Sequence, residues 1–229
     1  VGADSGLWPV RPGGQATDMS GTGWDTIDLR GEWRPDGSLS STHQVSFGYH
    51  YDLYALRSRT YSVASDWLHG SLGNLASASF GNTRTQALYL QDAWRFHPDW
   101  KLVLGGRLEN WGAYGGSNTK GAITQHYANR DQTSFSPKLS LSFQATQDWE
   151  LRASLGKAYR FPTVSELFQT TQLNGVTTLQ NDPNLKPERV ISSELTALRG
   201  LENGLWRVSL FREDKRDALY SQTDTTVSP

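Results

Sequence analysis

Histidine is the side chain best suited to acid–base catalysis or metal binding at neutral pH, and this sequence of 229 residues contains five. They are His43, His50, His69, His97 and His126. The first two are seven residues apart, so an unbroken strand would place them on opposite faces, and no pair has the spacing of a zinc site. Cysteine is absent, which removes thiol nucleophiles and Cys-based metal sites. We predict no metal site and no cofactor.

Motifs for phosphate binding or hydrolysis are also missing. Gly13-Gly14 and Gly115-Gly116 have no helix pattern after them, as a phosphate-cradling loop requires. No Gly-x-Ser-x-Gly elbow is present, so a nucleophilic hydrolase has no support. We therefore predict no catalytic residues and no enzymatic activity.

The predicted long loops contain side chains that could bind a small-molecule ligand. Aromatic rings, imidazoles and a guanidinium can together contact an anionic, aromatic chelate. The candidate ligand-binding residues are Trp67, His69, Tyr114, His126, Tyr127 and Arg130. The alternative is that each one packs against its neighbours as an ordinary loop residue.

Composition narrows the fold class and the partners. The formal net charge is −1, so there is no excess of basic charge to bind nucleic acid. The apolar content of 36% is low for a closed, water-free core, yet the chain has nine Trp, nine Tyr and eight Phe. No apolar run approaches the roughly 18 residues of a membrane helix. We expect β structure with unusual surfaces.

Alternation of apolar and polar residues predicts eight strands in one all-β domain over residues 1–229. The predicted strands cover about 24–34, 42–56, 83–97, 100–112, 133–145, 149–161, 188–200 and 204–220. In the first, Ile27, Leu29 and Trp33 share one face. Asp92 falls among Leu88 and Leu90, which leaves the register of strand 86–96 open.

The connections between these strands alternate between short and long. Tight turns lie at 35–37, 97–99, 146–148 and 202–204, and long linkers run through about 57–81, 112–131 and 162–187. Aromatic residues cluster near both ends of the strands. Short periplasmic turns, long extracellular loops and two aromatic girdles are typical of up-and-down transmembrane β-barrels.

The polar face of the strands carries pairs of opposite charge two residues apart. The pairs are Arg30 with Glu32, Arg107 with Glu109, and Glu150 with Arg152. Such pairs are tolerated beside water and are costly in a dry core. The pattern favours an aqueous barrel interior, although the solvated face of a soluble sheet would look the same.

Two Pro-containing phrases interrupt the alternation. In AYRFPTVSELF (158–168), Pro162 ends a strand because it lacks an N–H group. Thr163 and Glu166 then have the spacing of a capping box for a short helix over 164–168. In NDPNLKPERV (181–190), Pro187 lies at the start of the next strand, where a missing donor does least harm.

Together the two phrases resemble the barrel region of TonB-dependent outer-membrane receptors, and the resemblance covers most of 26–220. The residues that carry the motif, in structural roles, are Arg160, Pro162, Glu166, Asn184, Pro187 and Glu188. The resemblance implies a barrel of about 22 strands around a plug. It implies a Gram-negative outer-membrane location among lipid and uptake of a scarce nutrient, commonly a ferric siderophore or another metal chelate. It also implies energy from the TonB system through that plug.

The sequence contains no recognisable plug, so we expect an internal section of the barrel. Two alternatives stay open. One is a complete eight-stranded outer-membrane barrel with a structural or adhesive role. The other is a soluble β-sandwich binding module, which the low hydropathy favours.

Overall fold

The chain folds into one large antiparallel sheet and one short helix, α1. The computed structural model describes residues 14–37, 41–63, 71–173 and 176–219. The sheet contains ten strands: β1 (Gly14–Asp18), β2 (Gly23–Trp33), β3 (His43–Val63), β4 (Leu72–His97), β5 (Trp100–Lys120), β6 (Ile123–His126), β7 (Arg130–Gln144), β8 (Trp149–Arg160), β11 (Glu188–Leu201) and β12 (Gly204–Arg216). Helix α1 spans Val164–Phe168, and β9 (Thr170–Leu173) pairs with β10 (Val176–Gln180) in a separate ribbon.

The ten strands occupy eight positions in an up-and-down order. β1 and β2 both pair with β3, separated by a turn at 19–22, and β6 and β7 both pair with β5. Each interior strand pairs with the strand before it and the strand after it in this order, and β12 pairs only with β11. The all-β, antiparallel, up-and-down prediction is confirmed.

The large sheet contradicts both alternative architectures, the complete eight-stranded barrel and the soluble β-sandwich. Over the described ranges the large sheet is open, with β12 at one edge and β1 and β2 at the other, so the eight positions do not close into a small barrel. A sandwich needs two large sheets packed face to face, and the part of the chain that the structure describes has only this one and the β9–β10 ribbon.

Three strands extend beyond their expected ends, into segments that the sequence predicted as long loops. β3 continues to Val63, β4 begins at Leu72, and β5 continues to Lys120. Their backbone groups continue to pair with the neighbouring strand, with register shifts between Thr60 and Val63 and between Phe80 and Asn82, and this pairing satisfies them without a strict side-chain pattern. The tight turns at the opposite end agree with the sequence, since only two residues join β4 to β5 and β11 to β12.

The register settles the open question about strand 86–96 and defines two faces. Leu88 lies opposite Tyr49, Leu90 opposite Phe47, and Asp92 opposite Val45. All of these belong to the apolar face of the sheet, which is uncovered: Leu88 is 61% exposed.

The other side, the polar face, carries all three predicted ion pairs. Their shortest N–O distances are 2.7 Å for Arg30–Glu32, 2.8 Å for Arg107–Glu109 and 2.7 Å for Arg152–Glu150. His43 and His50 lie on opposite faces, as their spacing predicts, because their partners in β4 are Trp94 and Ala87. The prediction of one apolar and one polar face is confirmed.

Within the described ranges, one cluster of buried apolar side chains lies at one end of the polar face. It consists of Leu56, Trp111, Ala113, Val164, Leu167 and Phe168. Half of these residues belong to α1, so the helix packs against the sheet at the end away from the tight turns. No helix within the described ranges is long and apolar enough to cross a membrane.

Candidate ligand-binding site

Helix α1 starts where the sequence predicts, through a complete capping box. The Thr163 hydroxyl accepts a hydrogen bond from the Glu166 backbone N–H at 3.2 Å, and Glu166 Oε2 accepts one from the Thr163 N–H at 2.8 Å. Arg160, the last residue of β8, donates to Glu166 Oε1 at 2.6 Å. Thr163 and Glu166 therefore satisfy free donors at the helix start, and Arg160 attaches the helix to the strand.

These contacts set the protonation state of Glu166. Partial burial of the carboxyl, the largest single influence, acts to raise its pKa. Hydrogen bonds from the Thr163 N–H, the Arg160 guanidinium and the Thr163 hydroxyl act in the opposite direction and prevail, so the pKa of Glu166 lies below its ordinary value of 4.5. The carboxylate is thus charged at neutral pH and holds the capping box closed.

The apolar side of α1 packs against β3 and β5. Leu167 is fully buried, and Leu56 and Trp111 are each 1% exposed beneath the helix. Phe161 stacks on Trp111, with ring centroids 5.6 Å apart. A helix of five residues is not stable by itself, so the burial of its apolar side chains against the sheet holds it in place.

Phe168 occupies a socket formed by two glycines. A Cβ atom at either Gly81 or Gly116 would overlap its ring. The second glycine reaches this position through an irregularity in β5, where the register shifts and Gly115 has a φ of 63°. Only glycine adopts such a φ without strain, so Gly115-Gly116 shapes a packing site.

Arg130 fastens the second Pro-containing phrase to the sheet. Its two terminal nitrogens donate to the carbonyl oxygens of Pro183, at 2.6 Å, and Leu185, at 2.9 Å. Its guanidinium also lies over the Trp111 ring, 5.7 Å from the centroid. Arg130 therefore holds the connection between β8 and β11 against the sheet.

Tyr127 and Asn118 complete the cluster. The Tyr127 ring stacks on Phe168 at 5.9 Å between centroids. Asn118 Nδ2 donates to the Tyr127 hydroxyl at 3.1 Å and to Thr170 Oγ1 at 2.8 Å. The result is a packed aromatic cluster with polar groups beside it.

The structure divides the candidate ligand-binding residues. Tyr127 and Arg130 lie on the polar face, within the cluster. The register places Tyr114, opposite Asn82, and His126, opposite Ser117, on the other face. Trp67 and His69 lie outside the described residues.

The family-motif residues make structural contacts. Pro162 and Pro187 are buried, and the Asn184 N–H donates to Asp182 Oδ1 at 2.8 Å in the turn before β11. Glu188 pairs with Lys215 of β12 at 3.5 Å.

Sequence reasoning did not find Leu56, Gly81 or Gly116 as parts of this site. The Gly115-Gly116 pair was the available signal, because two adjacent glycines inside a strand indicate a close approach of other atoms. The described part of the chain contains no group of three His, Asp or Glu side chains that could hold a metal ion.

Comparison with known proteins shows the family. Residues 3–229 match the model of the TonB dependent receptor-like, beta-barrel family. The chain belongs to this family. The apolar face of the sheet is accordingly its lipid-facing side in the Gram-negative outer membrane, and the polar face lines the interior.

A curated relative is the iron-regulated outer membrane virulence protein of Vibrio cholerae serotype O1, 24% identical over 179 residues, which cover 77% of this chain and 23% of the relative. Among solved structures, the ferric yersiniabactin uptake receptor FyuA from Yersinia pestis has a TM-score of 0.61 at 17% identity, over 90% of this chain and 30% of the receptor. The copper transporter OprC has a TM-score of 0.61 at 15% identity, over 83% and 29%. The chain thus spans less than a third of these proteins, and the structural likeness is one of fold.

Proposed function

We propose that the full-length receptor imports a ferric chelate, most simply a siderophore, across the outer membrane with energy from TonB. The observation that carries this proposal is the family match over residues 3–229. The iron-regulated relative and the ferric yersiniabactin receptor among the solved neighbours support iron as the metal. TonB would act through a plug domain.

The family consists of receptors and transporters, and we propose no catalytic role for this chain. We propose that the ligand passes over the α1 cluster at the extracellular end of the interior. Tyr127 and Arg130 are the described candidates on that side. Trp67, His69, Tyr114 and His126 remain proposed contacts from the extracellular rim.

Radioactive iron uptake tests the function. A strain that lacks the receptor gene, complemented with the gene or with an empty vector, is given ⁵⁵Fe(III) bound to a tricatecholate, a hydroxamate or citrate. We expect uptake of one chelate to depend on both the receptor and TonB. A parallel arm with ⁶⁴Cu tests the copper alternative that OprC raises. Equal uptake of every iron chelate with and without the receptor would refute the proposal.

The site is tested with Arg130→Gln, which removes the guanidinium that holds Pro183 and Leu185. We expect weaker binding of the transported chelate to receptor-bearing cells. Arg199→Gln is the matched control, because Arg199 stacks on Trp149 at the turn end of the lipid-facing side. Equal binding of the chelate by the Arg130→Gln variant and the unmodified receptor would show that Arg130 is not part of the binding site.

A further inference from the structure

The strands β7 and β8 are paired over only part of their length. Their register ends with Lys138 opposite Gly156. Toward the extracellular end, residues 130–137 of β7 pair with β5, and residues 157–160 of β8 pair with β11. Within the described ranges these two segments therefore face each other without a shared ladder. We call the space between them the lateral window.

Pro137 explains why the pairing stops. The Ala145 N–H, at the turn end, donates to the Trp149 carbonyl oxygen. Because the N–H groups of a strand alternate in direction, position 137 directs the same side of its backbone toward β8. Proline has no N–H group. The Lys157 carbonyl, which comes next in the register, therefore lacks the donor that another residue would supply.

The lateral window has limited height because contacts bound it at both ends. At its lower end, Lys138 and Gly156 are the last residues in register. At its upper end, Arg130 of β7 donates two hydrogen bonds to the connection that follows β8. An opening of this kind can admit an extended chain more readily than a bulky group.

Two depressions meet at the lateral window. The inner depression, on the polar face, has a volume of about 580 Å³, and the outer depression, on the lipid-facing side, has a volume of about 820 Å³. Pro137, Lys138, Gly156 and Lys157 line both of them. The remaining walls of the outer depression are mainly apolar and include Leu104, Phe135, Leu155 and Ile191. The window thus joins a polar space to an apolar one.

The inner depression offers a positive charge. Arg107 is paired with Glu109 at 2.8 Å. In the part of the chain that the structure describes, Lys138 has no carboxylate within ion-pair distance. A Cβ atom at Gly105 would meet the Lys138 side chain, so this glycine gives the lysine room on the interior side. The ammonium group is therefore available to an anionic ligand.

We propose that the lateral window binds the acyl chain of an amphiphilic, anionic iron chelate. The head group lies in the inner depression beside Lys138, and the acyl chain passes Gly156 into the outer depression. The amide that joins the two parts donates to the Lys157 carbonyl, for which Pro137 supplies no donor. This inference rests on the proposed function and specifies its class of substrate.

The test measures binding of paired probes to the full-length receptor in phosphatidylcholine nanodiscs, with empty nanodiscs as the background. The probes are ferric tricatecholate, hydroxamate and citrate chelates, each carrying either a dodecanoyl or an acetyl amide. For the transported chelate, we expect the dodecanoyl form to bind at least about tenfold more tightly than the acetyl form. Removing two methylene groups from water already contributes about this much.

Gly156→Leu closes the lateral window and keeps every charge. Within 4 Å, a Cβ atom at Gly156 would meet only the Pro137 carbonyl oxygen, at 3.9 Å, so a larger side chain fits the backbone. We expect this variant to lose the advantage of the dodecanoyl form. Gly200→Leu is the matched control, because its Cβ atom would likewise meet one carbonyl oxygen, that of Asp148 at 3.8 Å, near the tight turns. It should keep the advantage.

A reversible closure provides a second test if Gly156→Leu does not fold. Ser136→Cys/Ala158→Cys places one thiol on each strand of the window, in a chain that has no cysteine of its own. Once mass spectrometry shows the disulfide, the advantage of the dodecanoyl form should be lost, and reduction of the same protein should restore it.

The outcomes separate this proposal from the proposed function. Equal affinities of the two forms for the unmodified receptor would overturn the window proposal and leave chelate import intact. An advantage that persists in the folded Gly156→Leu variant, or in the disulfide form, would do the same. Absence of binding by every chelate with either substituent would instead contradict the proposed function, and the window proposal with it.

Discussion

The two ends of the polar face are built from different interactions. At the extracellular end, α1 covers Leu56 and Trp111, and Leu167 is fully buried. At the turn end, Arg152 and Glu150 form an ion pair whose side chains remain 45% and 29% exposed. The sheet itself is held by backbone pairing between its strands.

This difference shows where side-chain packing contributes stability in a sheet with no conventional core. Lipid covers the apolar face, and within the described ranges the cluster of buried apolar side chains forms where the connection between β8 and β11 folds back onto the polar face. We expect substitutions in the α1 cluster to destabilise the protein strongly, and substitutions in the ion pairs near the turns to have small effects.

The largest expected effect is that of Phe168→Ala. Removing a buried phenylalanine leaves a cavity and typically costs about 3–5 kcal/mol. We expect a clear loss of stability in thermal unfolding of the full-length receptor in detergent, followed by Trp fluorescence. Phe135→Ala, at a lipid-facing side chain in the middle of the sheet that is 53% exposed, is the control and should have a much smaller effect.

A second prediction concerns Gly81, one of the two glycines that form the socket for Phe168. Gly81→Ala places a methyl group against the Phe168 ring, and overpacking of this kind costs about 1–3 kcal/mol. In the Phe168→Ala background the same methyl group has room, so the two substitutions should not be additive. Additive losses would mean that Phe168 does not fill the socket.

A smaller, pH-dependent effect is expected for Glu166→Gln. The pKa of Glu166 is lowered in the folded protein, from an ordinary value of 4.5. Its stabilising contribution is therefore fully present above that value and disappears as the pH falls through the lower, folded pKa. At pH 7 we expect the variant to lose about 1 kcal/mol, as for other helix caps.

The measurement is the unfolding temperature of both proteins between pH 7 and pH 3. The difference between them should close in the acidic range. Thr163→Ser keeps the capping hydroxyl and is the matched control. A difference that stays constant down to pH 3 would show that the Glu166 charge does not contribute.

The smallest effect is expected at the turn end, for Arg152→Gln. An exposed ion pair contributes less than about 1 kcal/mol, and salt screens it. We expect the unfolding temperature to change slightly in low salt and not measurably in 0.5 M salt. A loss comparable to that of Phe168→Ala would mean that the two ends of the polar face are stabilised alike.

Much of the fold could be predicted because it depends on residues near one another in the chain. Alternation separates Ile27 from Arg30 onto opposite faces, and Thr163 and Glu166 are only three residues apart. Strand ends were less accurate at Val63 and Lys120, since backbone pairing continued past the alternating pattern. The candidate site was more difficult to predict than the strands, because the position of a residue within a connection does not show on which face of the sheet its side chain lies.

The sequence by itself determined the antiparallel strands, the tight turns, the paired charges and the capping box, all of which arise from short-range periodicity and local hydrogen bonding. Only the tertiary structure decided that α1 folds onto the polar face, that Gly81 and Gly116 receive Phe168, and that Arg130 holds Pro183 and Leu185. These contacts join residues more than 50 positions apart. Their formation depends on how neighbouring strands align, which no local pattern specifies.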